Sequence, residues 1–383
     1  MIRALFLAHT AAPSGAELAT MRLLSALAER TTVEPVMLFT ENGPMVRRIR
    51  SRGIRTLLMP NGFRSRSLTI DGASPRRLLS GALDLIRVGR RLGTKTRRLE
   101  VQVLVAGSTK AMLMGAVAAR RARVPLIWSV HDQITSEYFG RWLAWGIRLL
   151  GWAVSDGYLV NSRSTANSLI TWRRPVAVVY PGIEPDPVPI RARTPQRAPD
   201  DVVVAMVGRL TPWKGQDVLL RALAQVKVPP RQVFLIGGTL FDEEAYRAEL
   251  ERAARELRVP VTFTGHLDDP RNHLRQADIL VHCSVLAEPF GQVVVEGLQA
   301  GCAVIASRPG GPAEIIEPGV HGVLVDGGDA AQLACALDTL TTDPGLRTRL
   351  AAAGVRRARE FDITASARVA AEFLTTMAGA RRG

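Results

Sequence analysis

The feature that most limits this chain is a rhythm that runs twice. Short, almost wholly apolar runs alternate with longer amphipathic stretches, stop at a proline-rich break and start again. Strands with no polar alternation are buried on both faces, which is the signature of a parallel sheet covered by crossover helices. In the first half the runs predict strands at Ile2–Ala8, Val33–Phe39, Thr56–Met59, Val101–Ala106, Leu126–Val130, Gly157–Val160 and Val176–Tyr180. Helices are expected over Ala16–Ala28, Pro44–Arg52, Arg76–Leu92, Ala111–Arg121, Phe139–Ala153 and Ser162–Thr171.

The break carries five prolines between residues 181 and 195 and no apolar period, so it is expected as a linker over 181–201. Beyond it, strands are expected at Val202–Val207, Val233–Ile236, Val261–Thr264, Ile279–His282, Val304–Ala306 and Gly322–Val325. Helices should fill Gln216–Val226, Glu243–Leu257, Asn272–Gln276, Gly291–Ala300, Ala313–Glu317, Ala330–Leu340 and Pro344–Arg359, with a last one at Thr364–Met377. The organisation is therefore α/β: doubly wound domains at 1–180 and 202–360, and a C-terminal segment, 361–383, that packs back on the first.

Composition removes other classes. At 383 residues, 47% apolar and 22% charged, the chain is neither disordered nor low-complexity. No apolar run reaches the length of a spanning helix, and His9 interrupts the opening apolar run, which favours a buried strand over a leader. Three cysteines (Cys283, Cys302 and Cys335) without C-x-x-C spacing argue against a disulfide framework or a structural zinc site, and a reduced, cytoplasmic setting is expected. The net charge of +15 is lopsided: residues 1–180 hold 27 Lys and Arg against 10 Asp and Glu, while the rest is close to neutral. A basic half of this kind fits an anionic partner.

Chemistry concentrates in two stretches of the second half. In Ala287-Glu288-Pro289-Phe290-Gly291-Gln292-Val293-Val294-Val295-Glu296, Pro and Gly interrupt the chain after a strand and a helix begins. The N–H groups of Gly291 and Gln292 then sit at a helix N-terminus suited to an anion, and Glu288 and Glu296 can accept hydrogen bonds from sugar hydroxyls. In Val207-Gly208-Arg209-Leu210-Thr211-Pro212-Trp213-Lys214-Gly215, a strand ends and two bases five apart follow, a fork and a point charge suited to a diphosphate. Two surface bases on a loop would look similar, but lysine is rare here, with four in the whole chain.

With these residues the sequence resembles a retaining glycosyltransferase of family 4, the glycosyl transferases group 1, whose GT-B fold sets two Rossmann-like doubly wound domains facing a central cleft. Glu288…Glu296 matches the family's E-x7-E signature, and Arg209 with Lys214 its phosphate pair. The resemblance implies that Arg209 and Lys214 neutralise the donor diphosphate, Glu296 holds the ribose and Glu288 the transferred sugar. It implies that Thr264-Gly265-His266-Leu267 lines the nucleotide base and that Gly310-Gly311-Pro312-Ala313-Glu314 plays a backbone role near the cleft floor. On the N-terminal side it matches Pro13-Ser14-Gly15-Ala16-Glu17, where Ser14 replaces the family's first glycine and Gly15 keeps the second, and it matches His131 to the cleft histidine.

The implied activity is metal-independent transfer of a sugar from a UDP- or GDP-sugar to an unidentified hydroxyl acceptor. No cofactor is implied, the nucleotide-diphosphate sugar being a co-substrate. No D-x-D triplet is present for a metal-bound donor. Acceptor pockets in this fold come from N-terminal loops such as Asn61–Ser74.

Two basic, apolar segments bear on partners. Pro75–Glu100 sets Arg76, Arg77, Arg87, Arg90, Arg91, Lys95, Arg97 and Arg98 among Leu78, Leu79, Leu83, Ile86 and Leu92; Arg141–Trp152 adds three tryptophans. Both fit an interfacial helix on an anionic membrane, and the resemblance implies work at the inner face on a lipid-linked or anionic acceptor. Both also fit leucines facing a core and tryptophans packed between domains. Rival functions are a GT-B nucleotide-sugar 2-epimerase and a noncatalytic basic protein binding membrane or nucleic acid; nucleic acid is the weaker partner.

Overall fold

The computed structural model describes residues 1–60, 75–186, 197–239, 243–257 and 260–380; in the helix that begins at Pro75, side chains are described from residue 84. The expected acceptor loop Asn61–Ser74, residues 187–196 of the expected linker, and the side chains of Arg76, Arg77, Leu78, Leu79 and Leu83 lie outside the described residues. The chain forms two compact units, Met1–Gly182 with Ile363–Gly383, and Ile183–Asp362.

The first unit runs β1 (Ile2–Ala8), α1 (Gly15–Arg30), β2 (Val33–Phe39), α2 (Pro44–Ser51), β3 (Arg55–Leu58), α3 (Pro75–Arg98), β4 (Val103–Ala106), α4 (Thr109–Ala122), β5 (Leu126–Val130), α5 (Ser136–Phe139), α6 (Arg141–Val154), β6 (Gly157–Val160), α7 (Arg163–Asn167) and β7 (Val176–Val178). Its seven strands pair in parallel in the order β3-β2-β1-β4-β5-β6-β7. Successive strand residues feed opposite faces. Ala4 and Phe6 of β1 join one apolar cluster, Leu5 and Leu7 the other.

The second unit runs β8 (Val203–Val207), α8 (Gln216–Leu223), β9 (Gln232–Ile236), α9 (Glu244–Arg255), β10 (Val261–Gly265), α10 (Arg271–Gln276), β11 (Ile279–His282), α11 (Gln292–Gln299), β12 (Ala303–Arg308), α12 (Pro312–Ile315), β13 (Val323–Asp326), α13 (Ala330–Thr342) and α14 (Pro344–Ala358). Its six parallel strands lie in the order β10-β9-β8-β11-β12-β13. Ile183 enters this unit by donating to the Phe361 carbonyl at 2.9 Å. Arg275 then forks onto the Asp186 carboxylate at 2.7 and 2.8 Å. Residues 183–186 of the expected linker are thus part of the second unit.

The chain returns to the first unit as α15 (Ile363–Gly379). Ile363, Ala367, Ala370, Leu374 and Met377 recur at helical spacing and are buried in the cluster that also holds Met21, Leu24 and Leu27 of α1. Burying a side chain such as Leu374 contributes about 1.5–3 kcal/mol, which is what draws this helix back.

Helix ends depart from expectation: α3 runs six residues past Leu92 to Arg98, α8 stops three short of Val226, and two other helices are broken or cut short. The one expected over Phe139–Ala153 is divided at Gly140, whose φ of 73° no helix interior accepts. The one expected over Ser162–Thr171 stops at Asn167. There the Ser168 hydroxyl turns aside to accept from the Ile134 N–H at 3.1 Å and to donate to the Thr165 carbonyl at 2.7 Å.

Candidate functional site

In a doubly wound sheet, ligand-binding residues collect beyond the carboxyl ends of the strands where strand order reverses. In the second unit that point lies between β8 and β11. The segment after β8 carries Arg209 and Lys214, and the segment after β11 carries Glu288.

The structure closes Lys214 and Glu288 on each other. Lys214 Nζ sits 2.6 Å from Glu288 Oε2, the two side chains being 18% and 12% exposed. Lys214 ends a 3-10 turn, Pro212–Lys214, and its ammonium also lies 4.1 Å from the Trp213 ring centroid. Gly215 then takes a φ of 78° to start α8. A Cβ on Gly215 would stand 2.1 Å from the Cys283 carbonyl oxygen, so only glycine lets this turn sit on β11. The Cys283 thiol donates to the Gly215 carbonyl at 3.0 Å, and burial pushes its pKa up to about 12, which makes it a structural donor rather than a nucleophile.

Glu288 has further partners that the sequence reading missed. Ser284 donates its hydroxyl to Oε2 at 2.8 Å, and His282 Nε2 lies 3.3 Å from the same oxygen. The other imidazole nitrogen of His282 meets Ser307 Oγ at 3.3 Å. Burial alone would raise the carboxyl's pKa, but the Lys214 ammonium, with His282, holds it well below the usual carboxylate range. Glu288 is therefore an anion at any working pH. Its backbone is fixed as well: Gly311 donates its N–H to the Glu288 carbonyl at 2.8 Å, and Gly310, at φ 125°, pairs with Glu288 in a parallel bridge. A Cβ on Gly310 would come within 2.5 Å of that carbonyl oxygen, which gives the Gly310-Gly311 pair its place in the structure.

Arg209 meets a different carboxylate. Its Nε is 3.6 Å from Glu243, and its own carbonyl accepts from the Gln216 side chain at 2.8 Å. The two bases expected to meet the diphosphate thus each lie beside a carboxylate, Lys214 at Glu288 and Arg209 at Glu243. Gly291, at φ 93°, opens α11 with Gln292 as its first residue, and Glu296 lies half-buried farther along that helix. Phe290 is buried, its ring 5.8 Å from that of Phe361. Gly265 ends β10 at φ 71° and accepts from the Gly237 N–H at 3.0 Å. His266 is exposed beside Asp268 at 3.6 Å, and Leu267 is half-buried next to it.

In the first unit the reversal falls between β1 and β4. His9 follows β1 and Ser108 follows β4, and their side chains meet across that point at 2.8 Å. Burial, with Lys110 nearby, lowers the His9 pKa to about 4. His131 follows β5, with Ser129 Oγ 3.1 Å from Nε2 and its carbonyl accepting from Asn161 at 2.9 Å; burial lowers its pKa to about 4. Both imidazoles are neutral at pH 7.

Gly15 is the first residue of α1, and the Ser14 hydroxyl turns to the Glu17 carboxylate instead of capping the helix backbone. Burial raises the Glu17 pKa, with Asp132 adding to it and Ser14 opposing it. A pocket in this unit is lined by Ala8, Glu17, Gly107, Ser129, His131 and Asn161. His9 and Ser108 each lie just past the end of a largely apolar strand, which ends the run but does not show that the two side chains meet. His282, the last residue of β11, and Ser284 just beyond it are placed the same way at the end of an apolar run.

The chain is similar to known proteins throughout. A family model described as glycosyl transferases group 1 matches residues 191–357, and one described as glycosyltransferase family 4 matches 13–187. The D-inositol 3-phosphate glycosyltransferase of Streptomyces bingchenggensis is 30% identical over 300 residues, 70% of this chain and 65% of that protein. That of Stackebrandtia nassauensis is 32% identical over 231 residues, 55% of this chain and 51% of that protein. The chain spans about half the length of the first curated relatives it matches. Among solved structures, Anabaena HepE in complex with UDP and glucose is 26% identical with a TM-score of 0.80, covering 98% of this chain and 100% of that one. Sucrose-phosphate synthase from Thermosynechococcus elongatus, 20% identical with a TM-score of 0.78 over 99% of this chain and 100% of that one, shares the two-domain Rossmann-like GT-B fold.

Proposed function

This chain belongs to the group 1 glycosyl transferases, family 4, and on that premise we propose that it moves a sugar from a nucleotide-diphosphate donor to a hydroxyl acceptor with retention of configuration. The observation that carries the proposal is the Lys214–Glu288 ion pair, set across the reversal point of the second sheet and largely shielded from water. An ammonium carries three N–H donors, so holding Glu288 does not prevent Lys214 from meeting a phosphate oxygen. The contact fixes where the charge sits before the donor arrives, which is what preorganised electrostatic stabilisation requires.

In this reading the anomeric C–O bond breaks and its electron pair leaves with the diphosphate. Arg209, Lys214 and the Gly291–Gln292 end of α11 stabilise that growing charge. Glu288, kept ionised, accepts from hydroxyls of the transferred sugar, and Glu296 accepts from the ribose. Gly265, His266 and Leu267 flank the base, and Phe290 supports the turn. Gly15, at the start of α1, is the first unit's candidate for donor binding. His131, neutral at pH 7, positions sugar or acceptor by hydrogen bonding. The acceptor hydroxyl attacks from the face the diphosphate leaves, giving its proton to a phosphate oxygen.

UDP is the donor base favoured, because HepE, 26% identical over its whole length, is a UDP complex; GDP is the alternative. Metal independence is part of the same proposal, since the side chains named above supply the positive charge. So is a cytoplasmic setting, where nucleotide sugars are made.

The test is a thermal-shift screen of UDP, GDP and ADP, followed by donor hydrolysis and transfer assays with and without EDTA. UDP is expected to stabilise the protein, and Lys214→Ala to cut turnover roughly 10²-fold or more, as losing one charge-stabilising donor does. Unchanged turnover in Lys214→Ala, or turnover abolished by EDTA, refutes the assigned chemistry. UDP-sugar conversion without acceptor would make the chain an isomerase.

A further inference from the structure

The two basic, apolar segments of the first unit behave differently. In α3, Val88 and Leu92 are buried in the cluster that holds Met112 and Met114 of α4, with Leu85 partly buried against it, so the described apolar residues of that helix serve mainly the core. In α6 the core is satisfied by Ala144, Ile147 and Gly151 on one side. The other side, at the same three- and four-residue spacing, carries Trp142, Trp145, Leu149 and Trp152. Of these, Trp142 is 82%, Trp145 58% and Leu149 38% exposed. A surface helix ordinarily turns polar residues outward; this one is apolar on both sides.

The stripe is widened by a second element. Trp172, 65% exposed, sits in the loop between α7 and β7, and its carbonyl accepts from the Trp152 indole N–H at 3.0 Å, the two rings lying 6.2 Å apart. Each end carries an arginine laid on an indole: Arg141 on Trp142 at 5.7 Å, Arg173 on Trp172 at 5.4 Å and Arg174 on Trp152 at 5.8 Å. From Arg141 to Ile183 the sequence holds five arginines and one acid, Asp156, whose carboxylate is held by the Leu126 N–H at 2.8 Å.

We infer that the Trp142–Trp145–Leu149–Trp152 face, with Trp172, docks this protein on an anionic lipid surface. Indoles settle at the boundary between headgroups and acyl chains, where the ring is in apolar surroundings and the N–H is wet. Arginines beside them bury their stems and keep the guanidinium among lipid phosphates. Both groups are present in one patch, and the excess of positive charge in residues 1–180 adds long-range attraction of the same sign. The patch is built on secondary structure, with the Trp172 loop tied to α6, so little ordering is needed on contact. This inference does not depend on the reaction the chain performs.

The experiment is co-sedimentation of the full chain with phosphatidylcholine vesicles, with and without about a third phosphatidylglycerol, at physiological salt, read alongside tryptophan quenching by brominated acyl chains. The wild type should bind the anionic vesicles at least ~10-fold better than the neutral ones, with its fluorescence quenched by the bromines. Trp142→Ser/Trp145→Ser, at positions that contribute little to the fold, should lower partitioning ~10-fold or more with an unchanged far-UV spectrum and thermal midpoint. Arg173→Glu should lower it ~3-fold or more. Equal binding by the double variant, equal binding to both vesicles, or no binding to either overturns the inference. So does self-association of the wild type that the double variant loses, since that would give the face to a second copy of the chain.

Discussion

Lys214→Met, Glu288→Gln and the double substitution form a cycle whose outcome can be worked from the geometry. At 2.6 Å and an effective dielectric near 20, the two charges attract by roughly 6 kcal/mol, most of it offset by the cost of taking both out of water. Removing one member of a buried pair costs about 3–5 kcal/mol because the other is left uncompensated. Here the lower end applies to Lys214→Met, about 3 kcal/mol, since Ser284 and His282 still meet the Glu288 carboxylate. Glu288→Gln should cost less, about 1.5 kcal/mol, because the lysine keeps the Trp213 ring and a stem long enough to reach water.

The double variant leaves no stranded charge and should cost only about 2 kcal/mol, which makes the coupling roughly 2–3 kcal/mol. A two-unit chain need not unfold in one step. The assay is therefore hydrogen exchange by mass spectrometry across a urea series, which reports the opening of β8 and β11 separately from that of the first unit. Costs that add to within ~0.5 kcal/mol would show that the two side chains merely lie near each other, and the reasoning for a preset charge pair would fall.

Acid sensitivity follows from three groups. His9 and His131, each with a pKa near 4 in the fold against about 6.5 in an unfolded chain, contribute stability that is whole above pH 6.5 and lost as pH falls towards 4, at most about 3 kcal/mol each. Glu288, depressed in the fold, contributes above its unfolded value of about 4.3 and loses that contribution only at lower pH. Thermal midpoints measured from pH 7.5 to 4 should therefore fall less steeply in His131→Gln than in the wild type; parallel curves would refute the assignment. Gly215→Ala should cost about 3 kcal/mol or more, because a Cβ would overlap the Cys283 carbonyl at a φ that disfavours it, while Gly146→Ala in α6, with open space around it, should be neutral or stabilising by up to about 1 kcal/mol. Equal midpoints for the two variants would contradict the packing described for the Lys214 turn.

The sheet strands were legible because their residues are apolar on both faces: β1, β2, β5, β6 and β11 occupy the positions the runs predict. Helix ends were less so. Gly140 and Ser168 end their helices through a backbone angle and a side-chain bond to Ile134, a contact that joins distant parts of the chain. The site divides in the same way. Arg209, Lys214, Glu288 and Glu296 announce themselves by spacing along the chain. That Lys214 bonds Glu288 across 74 residues, or that His9 meets Ser108 across 99, is decided by strand order. His282 and Ser284 sit at the end of an apolar strand, where a period-based reading registers only the strand.

The position of α15 has a consequence for how the polypeptide comes into being. Ile183–Asp362 is spliced into the first unit as an insert, and the helix that covers α1 is encoded on the far side of it. A ribosome must therefore make the entire insert before the first unit can seal its own apolar face, so the unit that is started first is the one that finishes last. Cutting the gene after Asp362 would spare the second unit and leave the first with Leu24 and Leu27 facing water.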